Sequence, residues 1–88
     1  FIANHLVTQN TAACVNIIPN IESVYKWKNE VCRENEFLLL IKTTADQETN
    51  VYDSLSKIHP YDTPEIITLN IQKGSKDYLN WISGSVES

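Results

Sequence analysis

Five consecutive apolar residues, Phe37-Leu38-Leu39-Leu40-Ile41, lie between Glu36 and Lys42-Thr43. Their length and flanks read as a strand over 36–43. A strand with one face in water alternates apolar and polar side chains, so an unbroken run asks for cover on both faces. The helices of so short a chain cover only one of them. Another copy of the same chain is the simplest cover for the other.

Composition narrows the rest. Eighty-eight residues with 42% hydrophobic and 20% charged side chains fit one globular domain spanning 1–88. A net charge of −4 and scattered basic residues speak against a nucleic-acid partner. No apolar run approaches the roughly 20 residues that span a bilayer. Cys14 and Cys32 form neither a disulfide framework nor a metal knuckle, which makes a reducing, cytoplasmic compartment the expectation.

Along the chain, Ile2 and Leu6 fall one turn apart with no cap residue ahead of them, so the chain opens inside a helix. A targeting segment upstream would be invisible to this reading. That helix fades by Thr11, where Asn10 offers a left-handed cap. Ala13 to Ile18 then reads as a strand and Pro19-Asn20 as its break. Alternation resumes over 21–28 and places Ser23, Tyr25 and Trp27 on one face. With Asn29-Glu30 as the turn, residues 21–43 form a long hairpin.

Thr44 and Gln47 have the spacing of a capping box, ahead of a helix carrying Val51, Leu55 and Ile58. Glu65 to Ile71 reads as a further strand, and Asp77 to Ile82 as a short helix ended at Gly84. The order is helix, strand, strand, helix, strand, helix. One strand placed in front makes it βαββαβ, a ferredoxin-like α+β sandwich with an extra C-terminal helix. On this reading the first strand lies outside the chain. Without it, residues 65–71 lack a neighbour for their backbone groups.

Residues 59–65, His-Pro-Tyr-Asp-Thr-Pro-Glu, hold two prolines that end the preceding helix and stiffen the connection. The simple reading is a helix-to-strand link with Tyr61 packed as a lid. The functional one is a rigid loop presenting His59, Tyr61 and carboxylates.

Five blocks resemble the CutA divalent-cation-tolerance family: Ala12-Ala-Cys-Val-Asn-Ile-Ile-Pro19, Ser23-Val-Tyr-Lys-Trp27, Leu38-Leu-Leu-Ile-Lys-Thr43, His59-Pro-Tyr-Asp-Thr-Pro-Glu65 and Tyr78-Leu-Asn-Trp-Ile82. The resemblance implies a ferredoxin-like fold with an absent first strand, a tight homotrimer and tolerance of copper and other divalent metals. It also implies architecture shared with PII-like trimers, a mammalian link to membrane anchoring of acetylcholinesterase, and no firm enzymatic activity.

His59 is the best candidate metal ligand, since imidazole suits Cu(II) and Zn(II). The resemblance implies a copper site of a first-strand Cys and a His pair. Ile58 stands where the first His would be, so only His59 carries over and binding is expected to be weak. Cys14 offers a soft ligand, set against its reading as a small buried hydrophobe. Tyr25, Trp27 and Trp81 read as interface aromatics, with a ligand platform as the alternative.

Lys42 and Glu65, with His59, Tyr61 and Trp27, outline a cleft that a small-molecule sensor or enzyme would use. An ion pair of Lys42 with Glu65 is the plainer reading. There is no nucleophile-and-base motif and no glycine-rich phosphate loop. A non-enzymatic, metal-binding trimer is therefore expected. The alternatives are a PII-like sensor and a trimeric scaffold.

Overall fold

The computed structural model describes residues 1–58 and 65–87. The elements in order are α1 (Ile2–Thr8), β1 (Cys14–Trp27), β2 (Glu30–Lys42), α2 (Glu48–Ile58) and α3 (Lys76–Ser85). A single 3-10 turn at Ala45–Gln47 leads into α2.

Strands β1 and β2 form one antiparallel hairpin, with Cys14 opposite Lys42 at its base and Trp27 opposite Glu30 at its tip. Fourteen extended residues span about 46 Å. This matches the longest dimension of the molecule, 45 Å. The hairpin is longer than the sequence pattern suggested, because Pro19 does not break β1. Between the pairs Ile18↔Leu38 and Ile21↔Glu36 two residues face one, the signature of a β-bulge. Pro19 sits in that irregularity, where no ladder donor is needed, and Asn20 takes φ 60°. The turn is Lys28-Asn29, one residue before the expected place. Both residues have positive φ, 51° and 67°, as a two-residue hairpin turn of the primed kind requires.

Helix α1 closes on Asn10, whose φ of 60° supplies the expected left-handed residue. The amides of Thr11 and Ala12 both return to the Leu6 carbonyl, at 3.0 and 3.2 Å. This tight exit places Leu6 and Ala12 in a core with Val51 and Leu55 of α2. Val15 and Ile41, a cross-strand pair, pack on that core and mark the helix-facing side of the hairpin. Ile82 of α3 is buried as well.

The expected capping box does not form. Thr44 makes no side-chain cap bond. Gln47 is buried instead, and its Nε2 donates to the Glu87 carbonyl at 2.5 Å while its Oε1 accepts from Asn50 at 3.0 Å. The Glu87 amide in turn donates to the Asn10 carbonyl at 3.0 Å. Satisfying a buried amide across the fold outweighs a local cap. Helix α3 starts one residue early, capped by Ser75 Oγ, which accepts from the Tyr78 amide. It also runs through Gly84, where the sequence suggested an end.

Residues 65–71, expected to be a strand, carry no strand here. The sheet among the described residues has two strands, β1 and β2. The segment is held to the body on one side: Ile66 packs on the core, and the Tyr52 and Thr68 hydroxyls meet at 2.8 Å. A strand exists only as one side of a hydrogen-bonded pair, and no strand among the described residues pairs with this segment.

Candidate functional site

The hairpin has two faces, and alternation assigns each residue to one of them. Val15, Ile17, Leu39 and Ile41 share the helix-facing side. Cys14, Asn16 and Ile18 share the outer side with Leu38, Leu40 and Lys42. Beyond the bulge, Ile21, Ser23, Tyr25 and Trp27 continue that outer side. Leu38 and Leu40 are each 44% exposed there and Trp27 62%. Among the described residues the apolar run packs on the helix core at Ile41, and Phe37, Leu38 and Leu40 stay partly exposed.

Lys42 is half-buried opposite Cys14, and its ammonium donates to Asn16 Oδ1. It does not pair with Glu65. The ion pair found among the described residues joins Arg33 to Glu22 at 3.3 Å, an exposed contact. Glu65 is exposed and borders the same open cavity as Lys42 and Trp27. Cys14 is half-buried, as is Cys32, whose thiol lies 3.8 Å from the Glu30 carbonyl. Separated by eleven positions along the hairpin, the two thiols are far beyond the roughly 7 Å reach of a disulfide.

Tyr25 lies opposite Cys32, two pairs from Glu34 and on the same face. The hydrogen bond to Glu34, then desolvation and nearby negative charge, push its phenol up to about 12. Sequence reading missed Glu34. The diagonal neighbours of Tyr25 are defined only once the turn is placed at Lys28-Asn29. Trp81 sits on α3, stacked on Tyr78 with ring centroids 5.8 Å apart. His59 and Tyr61 lie outside the described residues.

Among the described residues no three His, Cys, Asp or Glu side chains converge as a metal site. Cys14 is also the ladder partner of Lys42, whose ammonium is held on Asn16 of the same face and opposes a second cation nearby. These residues alone do not make a metal centre.

Residues 1–85 match the family model of the CutA1 divalent ion tolerance protein. The chain belongs to the CutA1 family. It is 43% identical over 81 residues to the divalent-cation tolerance protein CutA of Thermus thermophilus, covering 92% of this chain and 79% of the relative. Against human CutA the identity is 38% over 87 residues, 99% of this chain but 49% of the relative. The chain therefore spans most of the bacterial CutA and about half of the human one.

Among solved structures, that of Thermus thermophilus CutA1 has a TM-score of 0.93 at 41% identity, covering 98% of this chain and 84% of the other. A Nostoc CutA described as PII-like scores 0.90 at 31% identity, covering 98% and 84%. A CutA from Archaeoglobus fulgidus described as periplasmic scores 0.92 at 37%, covering 98% and 83%. The shared fold is the ferredoxin-like α+β arrangement expected from the order of elements.

Proposed function

We propose that this CutA1-family chain is a self-assembling, non-enzymatic metal-tolerance protein: a homotrimer that binds divalent metal, copper(II) in particular, only weakly. The observation that carries the assembly is the outer face of the hairpin. Leu38 and Leu40 at its base and Tyr25 and Trp27 toward its tip present partly exposed apolar and aromatic surface, with Ser23, Glu34 and Glu36 between them. A second and third copy cover such a face with like surface, and aromatics with polar tips suit the role. Sedimentation equilibrium at low micromolar concentration should give three times the 10.0 kDa chain mass. A monomer across that range would end the trimer reading.

Metal binding rests on the family and on His59. The described residues add no ready set of ligands, so donors must come from residues 59–64, from outside these residues or from a neighbouring copy. Few and mixed ligands predict micromolar binding, on the order of −8 kcal/mol. Calorimetric titration of Cu(II) should lose its signal in His59→Ala. Equal affinity in both proteins would remove His59 from the site.

A second reading, a PII-like sensor or a scaffold, is favoured by one feature: Lys42 and Glu65 border one cavity with Trp27. Thermal shift against nucleotides, small carboxylates and metals separates the readings, since a ligand raises Tm only where it binds the folded state. Only a metal should do so under the metal reading, and nothing at all under the scaffold. The free thiols fit a cytoplasmic setting.

A further inference from the structure

Helix α3 is joined to the rest of the chain by packing and by hydrogen bonds, and the two lie in different places. Its apolar side buries Ile82 and half-buries Leu79 beside Gly74. Ile82 stands outside the cluster that Leu6, Ala12, Val51 and Leu55 form. Tyr78 and Trp81 lie open on the helix. Among the described residues the hydrogen bonds of α3 stay local. The Tyr78 amide donates to Ser75 Oγ, the Leu79 amide to the Ser75 carbonyl and the Ser85 hydroxyl to the Trp81 carbonyl.

The bonds that tie the helix down come just after it. Val86 is extended, with φ −113° and ψ 161°. The Glu87 amide then donates to the Asn10 carbonyl at 3.0 Å, and the Glu87 carbonyl accepts from Gln47 Nε2 at 2.5 Å. One residue's backbone is thus held on both sides, by the exit of α1 and by the turn before α2. Neither bond uses the Glu87 side chain.

Both partners are set in place by parts of the fold other than α3. Asn10 is fixed by its left-handed φ of 60° and by the return of the Thr11 and Ala12 amides to the Leu6 carbonyl. The Gln47 amide is oriented from its far end. Asn50 Nδ2 only donates, so Gln47 turns Oε1 toward it and Nε2 toward the Glu87 carbonyl. An amide at position 47 accepts at one end and donates at the other, which neither a carboxylate nor an apolar side chain can do.

We propose that Val86-Glu87 is a clasp for α3: while its two hydrogen bonds hold, the helix is shut onto the body, and when they break α3 opens as a unit and uncovers Leu79 and Ile82. The opening gives up Ile82 and the clasp but keeps the cluster around Leu6. It therefore costs less than unfolding the whole chain, as local cooperative openings do.

Native-state amide hydrogen exchange on the full chain at neutral pH tests this. The amides of residues 80–85 should exchange through an opening that denaturant promotes only slightly, because little surface is exposed. Those of Val51 and Leu55 should wait for global unfolding, with a steep dependence on denaturant. Glu87→Pro removes the clasp N–H, and the extended Val86 suits the residue before a proline. Gln47→Glu removes the donor to Glu87 and keeps the acceptor for Asn50 in about the same volume. Each should speed exchange at 80–85 at least tenfold, and Glu87→Ala should leave it unchanged.

Equal denaturant dependence of 80–85 and of Val51 and Leu55 would make α3 part of one cooperative core and overturn the proposal. Exchange at 80–85 unmoved by Gln47→Glu would mean that the helix opens with the clasp still closed, which overturns it too; this variant carries the test alone if Glu87→Pro does not fold. An effect of Glu87→Ala as large as that of Gln47→Glu would move the contact to the side chain and end the backbone clasp.

Discussion

Tyr25 shows how a single side chain reports the register of the whole hairpin. Its phenol meets the Glu34 carboxylate only because Lys28-Asn29 makes the turn and sets Tyr25 opposite Cys32. Ionising the phenol beside a carboxylate is unfavourable, so its pKa is pushed up to about 12. Spectrophotometric titration should find one of the four tyrosines ionising well above the ordinary 10, and Glu34→Gln should bring it back down. The folded pKa exceeds the unfolded one, so any stability linked to this group is complete below pH 10. It fades as pH rises through about 12. A wild-type phenol already ionising near 10 would break the Tyr25–Glu34 contact. Gln47 makes the opposite point at the same scale. Its spacing from Thr44 suggested a cap, yet burial bound it to the Glu87 carbonyl, a contact 40 positions away.

At the scale of elements, the two glycines separate two situations. Gly84 lies inside α3 without a positive φ, and a methyl group there would meet nothing within 4 Å. Glycine in a helix costs about 0.5–1 kcal/mol relative to alanine, so Gly84→Ala should stabilise the chain by about that much in chemical denaturation. Gly74 precedes the helix, and a methyl group there would lie 3.2 Å from the Leu79 side chain. Gly74→Ala should give no such gain, because Leu79 would have to shift. Equal effects of the two substitutions would contradict this packing. The bulge at Pro19-Asn20 teaches a related lesson. Proline stops a regular ladder but is accommodated where two residues oppose one, so the hairpin arm runs on to Trp27.

At the scale of the molecule, the core and the outer face should respond to substitution in opposite ways. Leu6 is fully buried among Ala12, Val51 and Leu55, and Leu6→Ala should cost about 2–5 kcal/mol of stability. Leu40 on the outer face is 44% exposed within the chain. Leu40→Glu should leave the chain folded but drive the proposed assembly to monomers in sedimentation. An unchanged oligomer would place the contact elsewhere.

The sequence by itself determined the helices, the hairpin and the two-sided demand of Phe37–Ile41. Each of these depends on the period of apolar residues and on backbone chemistry within a few positions. It also showed the family, because five blocks occur in one order. Only the tertiary structure decided the register, the bulge, the bond from Lys42 to Asn16 and the unpaired state of 65–71. A register depends on which turn residues adopt positive φ, and a long side chain chooses among partners brought together by folding. A strand, unlike a helix, has no hydrogen bonds of its own: the sequence can make residues 65–71 fit for a sheet, but only a neighbouring backbone makes them part of one.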